Sequence, residues 1–115
     1  MFLTALWHLI LWSLRRRRGF RVSGRSMLPL LQHGDVVLID PSSTPEVGSI
    51  VLAQHPFRSD LQILKRLDHR TEDGRLYVLG DNSSESTDSR SFGTLSPDLV
   101  LGRVVLRLTN GVHRC

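Results

Sequence analysis

The sequence predicts a mainly β domain, a curled or barrel-like antiparallel sheet preceded by one short apolar helix. Three observations predict it. Short runs rich in Val, Ile and Leu recur from residue 35 onward, clusters of Gly, Pro, Asn, Asp and Ser separate them, and no long amphipathic helical period follows residue 19.

The helix comes first, in "MFLTALWHLILWSLRRRR". Residues 2–14 are nearly apolar and run into Arg15 to Arg18. A secretory signal carries its positive charge before the apolar stretch, so this is not an ordinary one. Thirteen helical residues reach roughly 20 Å, short of a hydrocarbon core of roughly 30 Å. On a helical wheel Thr4, His8 and Arg15 share a stripe interrupted by Leu11, while Leu3, Trp7, Ile10 and Leu14 gather on another. The pattern fits an anchor in the membrane interface, with Trp7 and Trp12 at headgroup level and arginines reaching anionic phosphates. The alternative is a helix docked on the domain's own surface or on a partner. If the segment inserts, the arginines place everything after residue 18 in the cytoplasm.

The strands follow in order: "DVVLID" (35–40), "GSIVLAQ" (48–54), "LQILKRL" (61–67), "RLYVLGD" (75–81) and "LVLGRVVLRLT" (99–109). Between them lie "PSSTPEVG", "HPFRSD", "DHRTEDG" and "NSSESTDSRSFGTLSPD", rich in turn formers. The expected division is residues 1–18 as helix and arginine run and 19–115 as a single domain, since 115 residues support one core.

Charge narrows the function. The net charge is +4, yet without Arg15 to Arg18 eleven basic residues face eleven acidic ones, so the excess is local. No phosphate-cradling glycine loop, zinc-type Cys/His spacing or basic-aromatic stripe accompanies it, and nucleic acid is not an expected partner. Cys115 is the only cysteine, which excludes an internal disulfide. With His113 it makes two ligands on a chain end, too few to argue a metal.

Three stretches carry chemistry. In "SGRSMLPLLQHGDVVLID" (23–40), Gly24 and Pro29 shape a loop around Ser26, whose hydroxyl becomes a nucleophile only beside a base. In "LQILKRL", Lys65 is the only lysine beside fourteen arginines. Arginine keeps its proton, whereas a lysine amine releases one where burial disfavours the ammonium. Lys65 shares a strand face with Ile63 and Leu67, and burial of that face would desolvate it. Bringing a lysine pKa from about 10.4 to near neutrality disfavours the ammonium by about 4 kcal/mol, within reach of burial. In "LGDNSSESTDSRSFG" (79–93), Asp88 and Arg90 fall on one side of an extended segment and can pair, and Ser86 can hold a lysine amine towards the nucleophile. The plainer readings are a turn serine, a solvated lysine and a polar loop. His33, His55 and His69 offer a Ser-His-Asp arrangement, but nothing around them marks a base.

Taken in order, "GRSMLPLLQHGDVV", "LKRL" and "GDNSSESTDSRSFG" resemble the nucleophile, lysine and Gly-Asp-Asn…Asp-Ser-Arg boxes of the type I signal peptidase family, over residues 24–93. The resemblance implies a serine peptidase of mainly β fold, without cofactor or metal, with Ser26 as nucleophile, Lys65 as general base, and Ser86, Asp88 and Arg90 supporting the base. Two departures stand out. The glycine-rich continuation of the lysine box is replaced by "DHRTEDG", and Gly24 stands where some relatives carry an oxyanion-holding hydroxyl, which leaves backbone N–H groups, that of Ser26 included, to hold the oxyanion. The short chain and poor anchor look most like the nickel-type superoxide dismutase maturation protease branch, which implies cytoplasmic removal of a leader from an extended precursor, at the inner face of the membrane if residues 2–18 bind it. The rivals are a signal peptidase releasing exported preproteins and an inactive peptidase fold that only docks a partner. A self-cleaving repressor fits less well, lacking room for a DNA-binding domain before Ser26.

Overall fold

A computed structural model describes residues 2–13, 16–108 and 112–115. Helix α1 (Phe2–Ser13) is followed by strands β1 (Arg18–Arg21), β2 (Val36–Asp40), β3 (Ile50–Gln54), β4 (Gln62–Arg70) and β5 (Leu76–Leu79), the one-turn helix α2 (Ser89–Phe92), and strands β6 (Val100–Arg107) and β7 (His113–Arg114). The strands form one sheet in the order β1-β2-β6-β3-β4-β5, with β7 beside β6, and every pairing is antiparallel. The predicted class is therefore correct, although the sheet stays open, ending at β1 and β5 rather than closing into a barrel.

Four of the five predicted runs contain their strands and the fifth, 61–67, holds only the first part of β4; the differences have local causes. The "RGFR" of β1 has no apolar run to announce it; it is extended because β2 offers an edge, pairing Arg18 with Ile39 through Arg21 with Val36. β4 outlasts its apolar run and continues to Arg70 across a register shift between Leu67 and His69. Of the predicted last strand, Thr109 lies outside the described residues.

The sheet is covered on both faces, which is why its strands read as nearly continuous apolar runs instead of clean alternation. Val37 and Ile39 of β2, Ile50 and Leu52 of β3 and Leu64 of β4 pack with Val22, Met27 and Leu31 from the segment after β1. On the opposite side Val51, Ala53, Leu67, Leu76 and Val78 pack with Leu95. Leu38, Val105 and Leu106 form a third cluster beneath Ala5 and Leu9 of α1. The helix thus docks on its own domain, as the alternative reading had it, while Leu3, Leu6, Trp7 and Ile10 stay exposed. Leu14, Arg15 and the side chains of Leu11 and Trp12 lie outside the described residues.

Arg17 fixes the far end of that docking. Its Nε donates to His8 Nδ1 at 3.1 Å, and its guanidinium pairs with Asp40 at 3.4 Å. Of the arginines expected to reach lipid, Arg17 is thus engaged within the fold, whereas Arg16 and Arg18 are exposed.

Candidate active site

The loop after β1 is closed by the chain around it. Val22 N–H donates to the Asp35 carbonyl at 2.7 Å and Gly34 N–H to the Val22 carbonyl at 2.8 Å, so residues 23–34 form a neck-tied loop. Ser26 sits in its first turn, ahead of a cis Leu28–Pro29 bond. Gly24 has φ +83°, a left-handed conformation that side chains other than glycine rarely adopt. That is a physical reason for glycine where some relatives would put a hydroxyl. Gly24 N–H donates to His33 Nδ1 at 3.0 Å, so this amide is already committed and His33 braces the loop.

Lys65 is only 5% exposed. The predicted face is buried, as Leu64 is on the other: Leu67 is fully buried and Ile63 packs in the same cluster. Burial lowers the Lys65 pKa from its ordinary value; the Asp88 carboxylate opposes this and the Arg90 guanidinium adds to it. Ser26 and Lys65 border one cavity of about 150 Å³, walled by Phe20, Val22 and Met27 on one side and by Leu61 to Leu64 on the other. The two side chains are not hydrogen-bonded to each other.

The third motif ties both walls. Asn82 N–H donates to the Ser26 carbonyl at 2.8 Å and Asn82 Nδ2 to the Arg25 carbonyl at 3.0 Å, clamping the serine loop on the Gly-Asp-Asn turn. Asp81 receives Arg66 through two hydrogen bonds, at 2.8 and 2.7 Å, which fastens the same turn to the residue after Lys65. Gly80 lies between them without a side chain for a packing reason: a Cβ there would stand 2.0 Å from Ser86 Oγ and 2.8 Å from the Ser26 carbonyl oxygen.

Asp88 is fully buried and completely solvated by the protein. It accepts from Gly80 N–H at 2.9 Å, Ser86 Oγ at 3.1 Å, Arg90 N–H at 3.1 Å, and the Arg90 guanidinium at 2.9 and 2.5 Å. Burial alone would raise its pKa. The bonds from Arg90, Gly80 and Ser86 outweigh that and hold the carboxyl well below the usual carboxylate range. Asp88 and Arg90 pair as predicted, but by a different geometry: Asp88 is the N-cap of α2, so the guanidinium folds back from a helical turn. Ser86 bonds to Asp88, and no bond to Lys65 is found.

All six predicted residues, Gly24, Ser26, Lys65, Ser86, Asp88 and Arg90, thus lie on the two loops and one strand that meet here. Sequence reasoning weighed His33 only as a possible base, quoted Gly80 to Asn82 only as a tight turn within the third motif, and gave Arg66 no role. Their signal was present for Gly80 to Asn82, in a "GDN" turn directly after a strand, and lacking for His33, which is nine residues from its partner Gly24.

A profile described as "Peptidase S24-like" matches residues 16–105. Among curated proteins the chain is similar to mitochondrial inner membrane protease subunit 1 from several eukaryotes. It is 31% identical to that of Xenopus tropicalis over 109 residues, covering 75% of this chain and 65% of the relative. It is 33% identical to that of Saccharomyces cerevisiae over 73 residues, covering 63% and 34% respectively, and 28% identical to the human protein over 109 residues, covering 75% and 66%. The chain therefore spans about two thirds of the frog and human relatives and about one third of the yeast one.

Proposed function

From the premise that the chain belongs to the Peptidase S24-like family, we propose that it is an endopeptidase with a Ser26-Lys65 dyad that removes an amino-terminal leader from a precursor protein. The observation that carries this reading is a buried lysine of lowered pKa on the wall of the cavity that Ser26 borders. In the free enzyme the two groups await substrate, and the serine hydroxyl turns to the amine as the peptide fills the cavity.

Neutral Lys65 takes the Ser26 proton as Oγ bonds to the scissile carbonyl carbon, and the carbonyl electrons move to an oxyanion held by backbone N–H groups that include that of Ser26. The C–N bond then breaks, and the Lys65 ammonium gives its proton to the leaving amine. Water then loses a proton to neutral Lys65 as its oxygen bonds to the acyl carbon, the C–Oγ bond breaks, and the Lys65 ammonium returns the proton to Ser26 Oγ. Asp88 and Arg90 set the charge around the lysine, and Ser86 and Gly80 hold Asp88 in place. The leader is taken in extended form: residues 62–65 of β4 pair with β3 only, because β5 begins to pair at Arg66, so their other edge is open beside the cavity.

The proposed substrate is a nickel-type superoxide dismutase precursor, cut at the cytoplasmic face of the membrane. The reading is supported by the short amino-terminal helix and by the arginines that follow it rather than precede it. The second reading, release of exported preproteins, is favoured by the similarity to inner membrane proteases. Incubation of the purified protein with each precursor, followed by sequencing of the new amino termini, separates them; cleavage of the exported preprotein alone overturns the first. If the fold only docks a partner, Lys65→Arg leaves its binding intact and no precursor is cut by the unaltered protein.

A further inference from the structure

In the segment that leads into Ser26, one amide is already engaged and another is open. Gly24 N–H donates to His33 Nδ1 at 3.0 Å, whereas Ser26 N–H has no acceptor among the described residues and is available to an oxyanion. Asn82 holds the far end of the segment, its N–H on the Ser26 carbonyl and its side-chain amide on the Arg25 carbonyl. At the near end nothing packs: a Cβ added to Gly24 would meet no atom within 4 Å. Glycine passes between left- and right-handed backbone at little cost, so its φ of +83° persists only where something outside the residue holds it. Among the described residues, the hydrogen bond to His33 is the contact that does so. His33 suits the task because its own backbone is fixed. Gly34 N–H donates to the Val22 carbonyl at 2.8 Å, Asp35 N–H to the Gln32 carbonyl at 3.0 Å, and the buried Asp35 carboxylate accepts from Gln32 N–H at 2.8 Å. The imidazole is exposed, and it acts as a strut between a rigid turn and a soft glycine.

We propose that His33 is a positioning residue for the reaction: through the Gly24 amide it aims the Ser26 N–H at the oxyanion. The inference rests on the peptidase reading above and deepens it, since neither the nucleophile nor the base calls for a histidine at this place. Nδ1 accepts a hydrogen bond, so it carries a lone pair, and in the neutral ring the proton sits on Nε2. The imidazole therefore neither takes nor gives a proton during cleavage. That differs from the Ser-His-Asp role weighed for it, because its Nδ1 is engaged with Gly24 and not with Ser26. Loss of the acceptor frees the Gly24–Arg25 peptide to rotate, and the Ser26 N–H turns away from the developing charge. An aligned donor acts on the tetrahedral intermediate far more than on the bound peptide. The effect falls on kcat and spares KM.

The test compares His33→Ala, His33→Phe and His33→Asn in the full chain. Alanine removes the ring, phenylalanine keeps its shape without an acceptor, and the asparagine carbonyl falls close to the place of Nδ1. The probes are a peptide spanning the leader junction of the precursor that the unaltered protein cleaves, and a peptide boronic acid built on its leader side. Ser26 Oγ adds to the boron and its proton passes to Lys65, which leaves a tetrahedral anion in place of the intermediate. His33→Ala and His33→Phe should lower kcat about tenfold to a hundredfold with KM within about twofold, and should weaken boronate binding by a similar factor. His33→Asn should recover kcat to within about threefold of the unaltered protein. Amide exchange at Gly24 should quicken in the first two variants and return in the third, with β3 and β4 unchanged in all three. The proposal is overturned by kcat retained in His33→Ala or His33→Phe, by an equal loss in His33→Asn, or by Gly24 exchange that no variant alters. If the unaltered protein cleaves no precursor, it is the peptidase reading that has failed, and quickened Gly24 exchange in His33→Ala still supports the strut.

Discussion

Two buried aspartates in this molecule are built from the same parts and serve different ends. Asp40, 7% exposed, accepts from Ser42 N–H at 3.0 Å, from Ser42 Oγ at 2.8 Å and from Ser43 Oγ, and it pairs with Arg17. Asp88 accepts from a serine hydroxyl, two backbone N–H groups and Arg90. In both cases burial pushes the carboxyl upward and the hydrogen bonds more than reverse it. The difference is the third party. Beside Asp40 the neighbouring cation is a guanidinium that keeps its proton and latches a helix. Beside Asp88 there is also Lys65, a buried amine that can lose its proton. An Asp-Ser-Arg composition is therefore a way to bury a carboxylate; in the proposed mechanism, reactivity comes from the neighbour able to change charge.

The sharpest way to break this comparison is to exchange the cations. Lys65→Arg should reduce peptide cleavage by about a thousandfold or more, because a guanidinium cannot act as a base. Arg17→Lys should leave cleavage unchanged and cost about 1–2 kcal/mol, since lysine keeps a charge beside Asp40 but lacks the planar guanidinium that also donates to His8. Lys65→Met should also lose cleavage yet melt higher, by about 1 kcal/mol of stability, measured by thermal unfolding at pH 7. The sign follows from the lowered lysine pKa: below the unfolded value near 10.5 the unfolded chain holds the proton more readily than the folded one, so Lys65 opposes folding throughout the neutral range.

Smaller effects separate the carboxylates. Asp88→Asn should cost about 2–4 kcal/mol and Asp40→Asn about 1–2 kcal/mol in denaturant unfolding, the former because it places an amide against a guanidinium in a fully buried cage. Each native carboxyl contributes stability that is complete above an unfolded pKa near 3.8 and is lost as the pH falls towards the lower folded value. Both losses should accordingly shrink below about pH 4. Only Asp88→Asn should move the alkaline rise of kcat/KM, and it should move it to lower pH by removing the charge that favours the lysine ammonium. Arg90→Gln should move it the other way.

The comparison also explains what could be read from the sequence. The strands were legible because a sheet buried on both faces needs unbroken apolar runs. Ser26, Lys65, Asp88 and Arg90 were legible because their motifs are local or chemically unusual, a single lysine among arginines above all. The Asp40 site was not: its "PSS" looks like any turn, and the arginine that completes it lies twenty-three residues earlier, in a run read as lipid-facing. The brace between His33 and Gly24, nine residues apart within one loop, and the clamp from Asn82 to the serine loop were hidden too, since neither contact follows a helical or strand spacing.

The smallest expected effect tests the latch. His8 receives the Arg17 Nε–H on Nδ1, a bond that requires the ring nitrogen to be unprotonated. Burial lowers the His8 pKa, and Arg17, Arg103 of β6 and Arg114 of β7 lower it further against the opposing pull of Asp40. The unfolded or undocked helix therefore takes up a proton near the ordinary value of 6.5 while the docked one resists it, so docking is firm above that pH and weakens as the pH falls below it. Amide exchange in α1, corrected for its intrinsic pH dependence, should be a few-fold faster at pH 5.5 than at pH 7.5, while exchange in β3 and β4 should be unchanged. His8→Gln should remove the difference. Equal protection of α1 at both pH values would mean that Ala5, Leu9 and the Arg17–Asp40 pair hold the helix unaided, and that the Asp40 site, unlike that of Asp88, has no titrating neighbour of consequence.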